Sequence, residues 1–208
     1  MKSIPFKDSY HHGDLKTALR LATLNLLQEE SYQSISLRKV AKKAGVSQSA
    51  PYRHYPNLES LLVDVAIYGF QLLREKLQSI QAKFKKYPLL KFRESGVCYV
   101  NFALSNPDLF QIMYGNQISN HALYPDLTMA EESSFSVLED IIQENQKSGN
   151  LSSSDIHKTA IAAWTMVHGI AILFLGKQVI FQNSTEKSIK KITKEMLETL
   201  YIGIKDKK

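Results

Sequence analysis

Residues 36–62, SLRKVAKKAGVSQSAPYRHYPNLESLL, leave the chain little conformational choice. Leu37, Val40, Ala41 and Ala44 recur at the i, i+3, i+4, i+7 spacing of one apolar helical face, and Arg38, Lys39, Lys42 and Lys43 fill the rest of the circumference. Ser36 suits the cap of that helix, because its hydroxyl can accept from a backbone N–H that the first turn leaves unpaired. Gly45 ends it, since the residue after a helix commonly takes positive φ, which glycine adopts without steric cost. Val46 then fits the elbow, and Ser47 stands where it can cap a second short helix over residues 48–55. By chemistry and by spacing this is a helix-turn-helix.

The second helix carries side chains suited to the edge of a base pair. Gln48, Ser49 and Ala50 open it, and the opening residues of such a helix are those that reach base edges in a major groove. Gln48 can pair bidentately with adenine and Arg53 with guanine or phosphate, while the Ala50 methyl can meet a thymine methyl. The Tyr52 hydroxyl and His54 imidazole are phosphate donors. Pro51 falls in the first turn, where few N–H bonds are lost. Ser36, Arg38, Lys42, Ser47 and Asn57 complete the expected DNA-facing set. The competing reading is an ordinary bundle corner with Tyr52 and Tyr55 in its core.

Residues 10–66 as a whole resemble the DNA-binding domain of the tetracycline-repressor (TetR) family of bacterial transcription regulators. The likeness lies in an amphipathic first helix, the Ile35–Ser36 entry, V-A-K-K-A-G-V-S and Y-R-H-Y-P-N-L-E-S-L, in that order. Far downstream, WTMVHGIA at 164–171 is similar to the Trp-His-Gly signature of one C-terminal subgroup. The histidine pair before Gly13 and the Ala-Pro-Tyr-Arg-His run are also typical of that subgroup. Leu58 departs from the pattern, standing where the family commonly has a phosphate-contacting lysine; Lys42 or Asn57 is the available substitute. The resemblance implies an all-α chain of about nine helices, with a helix-turn-helix domain over residues 1–56 and a ligand-binding and dimerisation domain over 57–208.

Composition agrees. With 208 residues, 44% of them hydrophobic, the chain can bury a full core. Net charge is +6, and residues 1–60 hold 9 basic against 5 acidic side chains, so the excess gathers where DNA is expected. Cys98 is the single cysteine, which excludes an internal disulfide and fits a reducing bacterial cytoplasm, with the protein on the nucleoid. Residues 1–10 lack the apolar core of a secretory signal.

Residues 159–176 run without a charge and imitate a membrane span. His168 near the centre, Thr159, Thr165 and two glycines point instead to a helix wrapped by its own core and by a second subunit, with no membrane as partner. Around it the pattern predicts further helices and short turns, among them one from Asn57 to about residue 86, one opened by Pro88, one after Asn106-Pro107, one over 125–147 and a last one after a turn at 182–184. The expected dimer interface is Val167, Ile170 and Phe174 with Ile192, Met196 and Leu200, paired isologously in a four-helix arrangement.

A two-fold dimer presents two recognition helices to an inverted repeat, and a small apolar or aromatic ligand lodged behind them would change their spacing. Tyr68, Phe70, Tyr99, Phe102, Phe110, Tyr114 and Trp164, with His168 as a polar handle, are the candidate lining, although each also suits plain core. Cofactors are not expected. His11 and His12 are adjacent, point apart on a helix and have no carboxylate or cysteine cluster to complete a metal site. No glycine-rich phosphate loop, G-x-S-x-G or Cys/His pair suggests an enzyme. The rival is a helical adaptor that binds protein, which would have no use for an exposed Gln48, Ser49, Tyr52 and Arg53 beside basic residues.

Overall fold

A computed structural model describes residues 14–177 and 185–205. Among them are eight α-helices, three short 3-10 turns and no strand beyond one isolated bridge between Leu151 and Lys205. Residues 1–13, which include His11 and His12, and the expected turn at 182–184 lie outside the described residues. Packing divides the chain into two compact units, Met1–Phe70 with Asn106–Glu131, and Gln71–Ser105 with Glu132–Lys208. The first unit takes in a later helix, which folds back onto the first one.

The first unit opens with α1 (Leu15–Glu29), which buries Leu19, Ala22 and Leu26 on one face. Its cap is Asp14, whose carboxylate accepts from the Thr17 hydroxyl and N–H; those bonds hold Asp14 below the usual carboxylate range. A 3-10 turn at Tyr32–Ser34 leads to α2 (Leu37–Lys43), capped by Ser36 through the Lys39 N–H at 3.3 Å. Leu37, Val40 and Ala41 of α2 are buried, and α2 packs on α1. Gly45 follows at φ 68, the left-handed turn that the sequence required. The long helix α3 (Leu58–Lys83) starts in this unit and ends in the other.

The next helix, α4 (Pro88–Ser105), belongs to the second unit. The short α5 (Pro107–Tyr114) is the helix that returns to α1. It also lies close to α3, where a Cβ on Gly69 would stand 2.5 Å from the Met113 sulfur. After a 3-10 turn at His121–Leu123, α6 (Pro125–Lys147) runs from the first unit into the second.

In the second unit α4, α7 (Ile156–Leu175) and α8 (Glu186–Ile204) pack on one another. They meet at Gly96, where a Cβ would lie 2.7 Å from Leu197 Cδ1 and 3.1 Å from Val167 Cγ1. Arg93–Glu198 at 2.6 Å and Lys194–Glu94 at 2.8 Å tie α4 to α8. Lys91 is buried with its ammonium against Glu144, and the Asn145 amide donates to Pro88 O at 2.9 Å and Ile141 O at 2.8 Å. The cap of α7 is Asp155, accepting from the Lys158 N–H at 2.9 Å. An aspartate both accepts the N–H bond and offers charge to the positive helix end. By length and composition α7 is the one described helix long and apolar enough to cross a membrane. Here it is a core helix, burying Ala160, Ala163, Val167, Ile170, Ala171 and Phe174 beside α4 and α8.

Candidate nucleic-acid interface

The segment after Gly45 is not the regular helix over 48–55 that its pattern predicts. It is a turn followed by a 3-10 helix at Pro51–Arg53. Backbone N–H groups of Ala50, Arg53 and His54 donate to Ser47, Ala50 and Pro51 carbonyls at 3.0, 3.2 and 3.0 Å, each closing a three-residue step. The bond from Tyr55 N–H to Pro51 O at 2.9 Å spans a full α-turn. Pro51 opens this turn, and because it has no N–H to offer, the Ser47 carbonyl is met by the Ala50 N–H instead. With this segment 3-10, the α-helices among the described residues number eight and not nine.

Its side chains divide sharply. Ser47, Gln48, Ser49, Arg53, His54 and Asn57 are exposed, and Tyr52 is 54% exposed. Ala50, expected at a thymine methyl, is 8% exposed and belongs to the core, as do Pro51 and Tyr55. The Ser47 hydroxyl lies 3.2 Å from that of Ser49 instead of capping a helix. Of the two tyrosines that the bundle-corner reading placed inside, one is inside and one is out.

Tyr55 anchors the segment from below. Its hydroxyl donates to Asp64 Oδ2 at 3.0 Å, and burial followed by the nearby Asp64 charge pushes its pKa well up. Arg20 sits 3.7 Å from the same Asp64 and 5.2 Å over the Tyr68 ring. The exit is fixed by a reciprocal cap: the Ser60 N–H donates to Asn57 Oδ1 at 2.9 Å, and the Asn57 N–H to Ser60 Oγ at 3.4 Å. Leu58 begins α3 half-buried. Ser60, Asp64 and Arg20 were not singled out in the sequence; the Asn57-x-x-Ser60 spacing was the available signal for one of them.

The cations of α2 are not equivalent. Lys39 pairs with Glu30 at 2.8 Å, drawing that carboxyl below its usual pKa, and Lys43 pairs with Glu29 at 2.6 Å. Arg38, Lys42 and Arg53 are exposed and form no ion pair among the described residues. They are the positive charges available to a phosphate backbone, beside the hydrogen-bonding tips of Gln48, Ser49 and Tyr52. Ser36 uses its hydroxyl on the α2 cap and is half-buried.

The other candidate residues fall in separate units. In the first, Phe70, Phe110 and Tyr114 form an aromatic cluster, with Tyr114 centred 5.2 Å from Phe70 and 4.8 Å from Phe110. In the second, the Trp164 indole N–H donates to the Tyr99 hydroxyl at 3.1 Å, and that hydroxyl lies 2.8 Å from His168 Nδ1. Burial lowers the His168 pKa, so near neutrality the ring is uncharged and Nδ1 can accept the Tyr99 proton. Phe102 is buried in the same unit.

Val167, Ile170 and Phe174, expected at a dimer interface, are buried within their own chain. The uncovered face of α7 is Ile161, Thr165, Ile172 and Leu173, and a Cβ on Gly169 would meet nothing within 4 Å. On α8, Thr193 and Leu197 face the core; Ile192 and Leu200 are half-buried and Met196 is exposed. The stripe read from spacing on α7 was thus the inward one. A helix apolar on all sides offers no pattern to say which side the chain itself will cover.

Two family models match the chain. Residues 19–65 match the bacterial regulatory proteins of the tetR family, and residues 92–200, more than half of the chain, match the tetracyclin repressor-like C-terminal domain. Among solved structures, a protein of unknown function from Rhodococcus sp. RHA1 is 27% identical over 96% of this chain and 100% of its own, with a TM-score of 0.81. The regulator FadR of Bacillus subtilis, solved in complex with stearoyl-CoA, is 16% identical over 90% of this chain and 98% of its own, with a TM-score of 0.70. The TetR family regulator PfmR of Thermus thermophilus is 14% identical over 91% and 99%, with a TM-score of 0.65. The last two likenesses are of fold.

Proposed function

The chain belongs to the TetR family of bacterial regulatory proteins, and we propose that it is a repressor which binds an inverted-repeat operator as a homodimer and is released by a small-molecule ligand. One observation carries the DNA half of this reading. Gln48, Ser49, Tyr52 and Arg53 are turned outward from a segment whose Ala50, Pro51 and Tyr55 are buried, beside Arg38 and Lys42, which no carboxylate engages among the described residues. A surface of hydrogen-bonding tips flanked by available cations suits base edges between phosphates. Its target puts the protein in the cytoplasm, on the nucleoid.

The dimer half rests on α7 and α8. Ile161, Ile172 and Leu173 on one, and Met196 with Ile192 and Leu200 on the other, leave apolar surface that a second copy would cover. Gly169 lets a helix approach closely at that face. For the ligand, the hydrogen-bonded Tyr99, Trp164 and His168 set supports a polar handle among aromatics. Trp164 and His168 belong to the Trp-His-Gly run of the subgroup that this sequence resembles. The stearoyl-CoA held by Bacillus subtilis FadR makes a long-chain acyl-CoA the first ligand to try here.

The test is selection from random duplex DNA at low and physiological salt. An inverted repeat that survives physiological salt is the expected result, and adding stearoyl-CoA or aromatic compounds to that complex then searches for release. Binding that is sequence-blind and lost with salt would refute the regulator reading and return the adaptor to consideration.

A further inference from the structure

The loop between α5 and α6, residues 115–124, is fastened to the start of α3 by a single carboxylate. Glu59 lies in the first turn of α3, between the reciprocally capped Asn57 and Ser60. Its Oε1 accepts from the Ser119 N–H at 2.9 Å and from the Ser119 hydroxyl at 2.7 Å, across 60 residues of sequence. The Tyr124 hydroxyl bonds to the same carboxylate. Three donors on one anion hold Glu59 below its ordinary pKa, the Ser119 N–H first among them.

The loop also packs on the rest of its unit: Ile118 is buried, and the Gln117 carboxamide is enclosed beside the Tyr32 hydroxyl. The charge-assisted bonds to Glu59 add a fixed direction to that packing. Everything in this contact belongs to the first compact unit, the one that also holds α1, α2 and the recognition segment.

We propose that Glu59 is a positioning residue for DNA reading: by docking residues 115–124 through Ser119 and Tyr124 it fixes the start of α3, and with it the recognition segment that runs into α3 through the Asn57 cap. The proposal rests on the DNA-binding reading above. An undocked loop leaves Arg38, Lys42 and Arg53 as exposed as before, so attraction to any duplex persists. What is lost is the single orientation needed for base contacts.

The experiment compares the full-length protein with a Ser119→Ala, Tyr124→Phe double variant, with Glu59→Gln and with Ser119→Thr. Each is titrated with the selected operator and with a scrambled duplex at physiological salt, and its thermal melt is recorded. The double variant and Glu59→Gln should lose about tenfold in operator affinity, the scale of one charge-assisted bond, with the scrambled duplex unchanged. Ser119→Thr, which keeps a hydroxyl, should bind the operator as the parent does. If the parent prefers its operator and the variants prefer it equally well, the positioning role is wrong while DNA reading stands. Equal losses on both duplexes with a lowered melting temperature would make the contact merely structural, and overturn it. A parent with no preferred sequence removes the DNA reading and this proposal together.

Discussion

The two candidate contact surfaces among the described residues are made of opposite materials. Around residues 36–57 the outward side chains are Arg38, Lys42, Gln48, Ser49, Tyr52 and Arg53; along α7 they are Ile161, Ile172 and Leu173, with Thr165 among them. The first surface is well solvated when nothing is bound, so its partner can come and go. The second exposes large apolar side chains to water at a cost of roughly 25 cal/mol per Å², which favours a partner that remains. Their local architecture differs in the same sense. The recognition segment is shaped by short-range hydrogen bonds, a proline and a left-handed glycine, whereas α7 is a plain helix whose meaning depends on what packs against it.

The contrast is broken most forcefully on the apolar side. Ile172 is 48% exposed in the single chain, so Ile172→Asp should leave the protomer folded and abolish its pairing, at a cost of ~3 kcal/mol or more for a carboxylate buried at an interface. Light scattering would show a monomer with a retained helical spectrum and no operator binding. A dimer that survives this change would mean that another face pairs. On the polar side, Arg53→Ala should weaken operator binding by about 1–3 kcal/mol and leave dimerisation intact. Unchanged affinity would remove Arg53 from the interface.

Smaller effects sharpen the comparison of local with tertiary control. Gly45 has φ 68 and open space where a Cβ would stand, so its replacement is a pure test of backbone strain. Gly45→Ala should destabilise the protein by about 1–2 kcal/mol in urea melts, and Gly45→Asn by less, since asparagine tolerates the left-handed region. Equal stability of all three would show that the turn is not held there. The smallest effect is a pH dependence. His168 has its pKa lowered by burial from an ordinary 6.5, so the unfolded chain takes up a proton that the folded one resists. Stability should be complete above about pH 6.5 and decline as the pH falls below it. Melting temperatures measured from about pH 8 to about pH 5.5 should show that decline, and His168→Gln should flatten it.

Much of this protein is legible in one dimension because its determinants are local. The Ser36 cap, the turn at Gly45, the cap at Asn57, the breaks at Pro88 and Asn106-Pro107 and the span Pro125–Lys147 each follow from neighbours a few residues apart. So does the resemblance that led to the family. The 3-10 geometry at Pro51–Arg53 is the exception, because the apolar and polar spacing around it reads as a regular helix. What only the tertiary structure decided is which residues share a surface. It put Ala50 inside and Tyr52 outside, turned Val167, Ile170 and Phe174 inward and Ile172 outward, spent Lys39 and Lys43 on Glu30 and Glu29, and brought Ser119 to Glu59. Caps and turns are set by hydrogen bonds that close within one helical turn, so neighbouring residues are enough to specify them. Burial and long-range pairing depend on which helices meet, and an all-apolar helix or a lone glutamate carries no mark of its partner until the chain has packed.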